Sequence, residues 1–133
     1  MSFSRRTALL SIVPLAALLL ATGAAQALTL KPFTAADFAA AQKAGSPVAV
    51  HFHATWCPTC RAQDKALDAL KSDPALKNVT ILKADYDQEK ALKKQMNIRT
   101  QSTFVVFKGS TEVARSAGVT DAEQIKATLA AAL

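Results

Sequence analysis

The feature that most narrows what this chain can fold into is an apolar run that passes almost directly into a pair of cysteines. Val48-Ala49-Val50-His51-Phe52-His53 follows Pro47 as a strand pattern, and Ala54-Thr55 separate it from Trp56-Cys57-Pro58-Thr59-Cys60. From the cysteines a helical pattern runs to about Lys71, with Ala62, Leu67 and Leu70 among its apolar positions, until Ser72-Asp73-Pro74 breaks it. A strand feeding a helix at this point places the sulfurs at a helix N-terminus, where unpaired N–H groups and the dipole favour an anion. The Cys57 thiol should therefore lose its proton more easily than an ordinary thiol, and the thiolate is the nucleophile. Cys60, one helical turn on, is close enough to attack a mixed disulfide on Cys57 and release the partner. Pro58 suits the first helical turn, where no internal N–H bond is lost. The residues point to thiol–disulfide exchange, with Cys57 attacking and Cys60 resolving.

Four other readings of the pair stand beside this one. An inert structural disulfide would close so short a loop that it would restrict the unfolded chain little. A structural zinc site needs four ligands; the two cysteines are the only ones in the chain, although His51 and His53, two apart on a strand, share a face and could complete the set. A metal-binding or metal-delivery module using Cys57 and Cys60 is the alternative function, and a thiol adaptor that binds partners without turnover is a third. The exchange reading itself requires no cofactor and no resident metal.

The rest of the chain alternates helix and strand patterns with short connections and no repeat, which implies one α/β domain. Thr34 begins a first helix as its N-cap with Asp37 three residues on, Phe38 falls on the buried side, and Gly45 stops it. Val79-Thr80-Ile81-Leu82-Lys83-Ala84 is a second strand, expected to lie parallel to the first through a crossover, and a short helix follows from about Glu89 to Met96. Thr103 to Phe107, a turn at Lys108-Gly109-Ser110-Thr111, and Glu112 to Arg115 form an antiparallel hairpin. Thr120 with Glu123 makes a capping box for a last helix with Ile125, Leu129 and Leu133 on one face. Leu28 to Lys31 adds an edge strand.

The first residues carry a different pattern. Arg5-Arg6, an apolar stretch from Ala8 to Ala21 and the small-residue sequence Ala25-Gln26-Ala27 follow the order of a secretory signal peptide cleaved after Ala27. The apolar stretch is shorter than the roughly 20 residues that span a bilayer, and Pro14 interrupts it. Ser4-Arg5-Arg6 leaves the general and twin-arginine export routes both open. Residues 28–133 then form the mature domain, the size of one compact core. Of the 16 basic residues two leave with the signal; against 10 acidic residues a net charge of +4 remains. The lysines are scattered without interleaved aromatics, which argues for a solvated face and against a nucleic-acid partner. A periplasmic monomer is expected.

Residues 47 to 133 resemble the thioredoxins through the strand ending at Phe52, the Trp-Cys-x-x-Cys motif, Lys83-Ala84-Asp85 with Asp87, the segment from Ile98 to Phe107 and the final helix. The resemblance implies a thioredoxin-like α/β fold, a central mixed sheet of four to five strands flanked by helices. Ala54 to Ala62 is similar to the thioredoxin-like reductants of bacterial cytochrome c maturation, whereas Ser72-Asp73-Pro74 is more similar to the periplasmic domain of transmembrane thiol reductases. By resemblance, the partners are exported cysteine-containing proteins, with a membrane thiol reductase as electron donor. Resemblance also places Trp56, Pro58, Gln101 and Ser102 where the partner binds, Trp56 as a partly exposed flank beside Cys57. The chain departs from the family at three positions. His51 stands where thioredoxins have a buried carboxylate, His53 where they have a tryptophan, and Ser102 where they have a cis proline facing the cysteines. His51 and Lys83 are candidate catalytic residues that move the Cys60 proton, although His51 reads equally as a core histidine bonded to the backbone. His53 reads as a polar lid. A cis bond before serine costs about 2.5–4 kcal/mol, so the Gln101–Ser102 bond is expected to be trans, with Ser102 against the two sulfurs.

Overall fold

The structure, a computed structural model, describes residues 28–133; the expected signal segment lies outside the described residues. Five strands, β1 (Leu28–Pro32), β2 (Pro47–His53), β3 (Val79–Asp85), β4 (Thr103–Lys108) and β5 (Thr111–Ala117), form one sheet in the order β1-β3-β2-β4-β5. The pairs β1–β3 and β3–β2 are parallel, and β2–β4 and β4–β5 antiparallel, so the sheet is mixed. Four helices accompany it: α1 (Ala35–Lys43), α2 (Pro58–Leu70), α3 (Lys90–Gln95) and α4 (Ala122–Ala130). The crossover through α2 is what makes β2 and β3 parallel neighbours, as the strand–helix–strand order requires.

Because strand side chains alternate, each inner strand feeds two cores. Val48, Val50 and Phe52 pack with Leu82, Ala84, Val105 and Phe107 beneath Phe38 of α1 and Leu92 of α3. Ala49, Ile81, Phe104 and Val106 pack on the other face with Leu67 and Leu70 of α2 and Ile125 and Leu129 of α4. Covering on both faces explains why β2 reads as an almost unbroken apolar run. It also means that any polar residue in β2 enters a core.

Local chemistry fixes the element ends. The Thr34 hydroxyl accepts from the Asp37 N–H at 3.0 Å and caps α1, and Gly45 takes φ 68 just past its end, a conformation that favours glycine. The last helix differs from expectation. Its N-cap is Asp121, not Thr120: the Asp121 carboxylate accepts from the Gln124 N–H at 2.9 Å and adds negative charge at the dipole's positive end. The helix ends at Ala130, so Leu133 is 50% exposed and Ala132 takes the buried place expected for it. The β4–β5 strands run further than the pattern suggested, leaving only Gly109 and Ser110 between them.

Candidate active site

The end of β2 delivers Cys57 to the start of α2. Cys57 is the N-cap, and its Sγ accepts from the Cys60 N–H at 3.2 Å, the place a serine or aspartate oxygen takes in ordinary caps. Pro58 occupies the first turn, as the sequence implies. Both cysteines are free and buried, and together with Ala54 they pack against Tyr86, which follows the end of β3.

Ser102 closes the site from the other side. The chain has no cis peptide bond among the described residues, so the Gln101–Ser102 bond is trans. The Ser102 Oγ lies 3.1 Å from both Sγ atoms. The hydroxyl can donate its one proton to the Cys57 thiolate, and the single Cys60 S–H can donate to the same sulfur. Ser102 adopts φ 62, a left-handed conformation that costs a non-glycine residue about 1–2 kcal/mol. It is held there from several sides: its N–H donates to Phe52 O at 2.8 Å, and its carbonyl accepts from Gly118 N at 3.0 Å.

These contacts separate the two thiols. Burial opposes ionisation of Cys57, but hydrogen bonds from the Cys60 and Ser102 side chains and the Cys60 N–H, with a smaller one from Gln101, outweigh it and lower its pKa to about 7. Burial pushes the Cys60 thiol up, and its bond to Cys57 pushes in the same direction. The arrangement supplies one nucleophile and one reserve thiol.

Trp56 is 56% exposed beside Cys57, and its indole N–H donates to Asp87 at 2.8 Å. His51 is the core histidine that the sequence allowed, bonded to a side chain and not to the backbone. The β2–β3 and β2–β4 registers set His51 beside Lys83 and Phe104. The His51 ring stacks on Phe104 with centroids 4.2 Å apart, and its Nε2 bonds Gln63 Oε1 at 2.8 Å; it has no hydrogen bond to Cys60. Burial lowers its pKa to about 4. His53 Nε2 lies 2.8 Å from Asp64 Oδ2. Lys83 donates to the other oxygen of Asp64 at 2.7 Å. Burial works against the Asp64 charge, but Lys83 and His53 hold its carboxyl below the usual range.

Three residues at the site escaped the sequence reading, the first being Asp64, the acceptor shared by His53 and Lys83. Tyr86 had no signal beyond following a strand. Gln63 is wholly buried on α2 among bonds to His51, Ser102 and Val119; a polar residue three after Cys60, on the turn that also carries Leu67, was the available hint. Among the described residues no three His, Cys, Asp or Glu side chains are grouped to hold a metal ion. The zinc set imagined from His51 and His53 is not assembled, because both rings are engaged by α2.

The family model described as Thioredoxin matches residues 29–131. A thioredoxin of Alicyclobacillus acidocaldarius is 34% identical over 97 residues, covering 73% of this chain and 91% of that protein. A thioredoxin of Chlamydia trachomatis is 35% identical over 78 residues, 59% of this chain and 74% of its own length. The crystal structure of Trxlp from Edwardsiella tarda superposes with a TM-score of 0.72 at 34% identity, covering 76% of this chain and 98% of that one. The mixed five-stranded sheet, the buried cysteine pair at the start of α2 and these matches agree: the chain belongs to the thioredoxin family of thiol–disulfide oxidoreductases.

Proposed function

We propose that the chain is an exported thiol–disulfide oxidoreductase that reduces disulfides of other exported proteins, Cys57 attacking and Cys60 resolving. The observation that carries the assignment of roles is the unequal support of the sulfurs. Both sulfurs are buried against the Ser102 hydroxyl, but only Cys57 Sγ, as the helix cap, accepts from the Cys60 N–H at the start of α2. In the first step the Cys57 thiolate attacks one sulfur of a partner disulfide; the S–S bond breaks and the departing sulfur takes a proton from solvent. In the second, Cys60 gives up its proton as its sulfur attacks Cys57 Sγ, the mixed disulfide breaks, and the partner leaves as a second thiol. Two electrons pass to the partner and a Cys57–Cys60 disulfide remains, to be reduced by another dithiol, for which a membrane thiol reductase is the class that fits an exported protein.

His51 belongs in this reading with the positioning residues and not with the bases. A ring with a pKa of about 4 is poorly matched to a thiol raised above its ordinary value, since proton transfer to it is steeply uphill. Lys83 acts at one remove, through the Asp64 carboxylate that also holds His53. Trp56, Pro58 and Gln101 surround Cys57 where an extended partner would lie. The preference for reduction rests on size, since residues 28–133 hold no inserted helical domain of the kind that resemblance to the disulfide-generating enzymes would predict.

Reduction of insulin disulfides by dithiothreitol tests the activity: it should be accelerated by the wild-type chain and not by Cys57→Ser. Cys60→Ser should accumulate mixed disulfides. A reduction potential near that of thioredoxin, about −270 mV, supports the reducing role, and one near −120 mV overturns it. Expression of the full chain in a bacterium, followed by N-terminal sequencing of the periplasmic fraction, tests export: the mature protein should begin at Leu28.

A further inference from the structure

Gln63 is a neutral amide sealed in a core, and it ties together three parts of the chain that are far apart in sequence. Its Nε2 donates to Ser102 O at 3.0 Å and to Val119 O at 2.9 Å, and its Oε1 lies 2.8 Å from His51 Nε2. The orientation of the amide follows from these neighbours. Two carbonyl oxygens can only accept, so the NH2 group must face them and spends both its protons there. Oε1 is then left facing His51, and the pair bonds only if the histidine carries its proton on Nε2. Gln63 therefore selects one tautomer of a buried ring and leaves Nδ1 as the nitrogen without a proton. That Nδ1 is buried and unbonded agrees with a neutral ring.

At its other end Gln63 acts on Ser102. The left-handed Ser102 is clamped by Phe52 at the end of β2, by Gly118 after β5, and by Gln63. Of these three only Gln63 lies on α2, the helix that carries both sulfurs. It is the one clamp that fixes the Ser102 loop relative to the cysteines.

We propose that Gln63 is a positioning residue for disulfide exchange, which holds the Ser102 hydroxyl between the Cys57 and Cys60 sulfurs and is itself oriented by His51. The inference rests on reading Cys57 and Cys60 as the exchanging pair. Gln63 touches neither sulfur nor partner. Its effect passes through Ser102, and that makes it separable from general support of the core.

The test is a double-mutant cycle read by thiolate absorbance of the reduced protein across pH. Gln63→Met keeps the length of the side chain and removes all three hydrogen bonds. It should move the midpoint of Cys57 thiolate formation up by about one pH unit, a tenfold loss of thiolate below the midpoint. In a Ser102→Ala background the same substitution should add nothing, because the hydroxyl it positions is gone. Equal shifts in the two backgrounds, or no shift in a folded Gln63→Met protein, overturn the proposal. If Gln63→Met does not fold, nitrogen NMR of the wild-type chain decides: a proton on His51 Nε2 and slowly exchanging Gln63 amide protons support the proposal, and a proton on Nδ1 overturns it. None of these readouts needs turnover, whereas the exchange reading is judged by insulin reduction, so the two can fail separately.

Discussion

Lowering the pH from 7 to 4.5 should cost this protein stability mainly through His51. The ring is fully buried, stacked on Phe104 and bonded to Gln63 through Nε2, so an added proton must sit on Nδ1, which has no acceptor. Burial is the main reason its pKa falls from 6.5 to about 4; the nearby His53 and Lys83 act in the same direction, and Gln63 and Asp64 oppose it. The folded pKa is below the unfolded one, so the unfolded chain binds more protons throughout this window. Stability is therefore complete above about pH 6.5 and declines as the pH falls toward 4. At 1.36 kcal/mol per pH unit the full loss is roughly 3 kcal/mol, a large part of the 5–15 kcal/mol typical of a domain. With a urea slope of about 1–3 kcal/mol/M, the unfolding midpoint should drop by about 1–3 M. Urea unfolding at half-unit steps of pH, on wild type and His51→Phe, measures it. The phenylalanine variant is expected to be less stable at pH 7, since it leaves Gln63 Oε1 without a donor, but flatter between pH 6.5 and 4.5. Asp37, Asp73 and Glu112, whose carboxyls Lys31, Lys126 and Arg115 hold below their ordinary values, lose their contributions only at lower pH. Equal slopes in the two proteins between pH 6.5 and 4.5 would refute the assignment of a neutral, buried His51.

Other outcomes follow from the same geometry. Iodoacetamide at pH 7 should label Cys57 and spare Cys60 in the reduced native protein, as mass spectrometry of the digested chain would report; equal labelling would remove the division of roles. Ser102→Ala removes a hydroxyl that lies 3.1 Å from both sulfurs, and loss of one charge-assisted bond should raise the Cys57 midpoint by about one to two pH units. Because the thiolate favours the reduced form, the potential of Ser102→Ala should become more negative by roughly 25 mV at pH 8 against a glutathione or dithiothreitol buffer. Phe104→Ala, at a fully buried position that also supports the His51 ring, should cost about 3–5 kcal/mol in thermal or urea unfolding.

The sequence by itself determined the order of elements, an edge strand at Leu28 to Lys31, the place of Cys57 at a helix N-terminus and the trans bond before Ser102, because each depends on residues within one turn or one strand of it. Alternation, helical spacing, turn residues and the stiffness of the peptide bond are local properties, and resemblance supplied the rest of the topology. Even there the cap of the last helix was misplaced by one residue: Asp121 takes the place expected for Thr120, its carboxylate accepting from the Gln124 N–H and meeting the helix dipole. What only the tertiary structure decided is which polar side chain meets which. Gln63 reads in the sequence as one more polar position on an amphipathic helix, yet its partners lie at His51, Ser102 and Val119, up to 56 residues away. His53 and Lys83 likewise converge on Asp64 from two strands. A hydrogen bond has a reach of about 3 Å, and burial makes an unmet polar atom costly, so these pairings are set by the packing of α2 on the sheet.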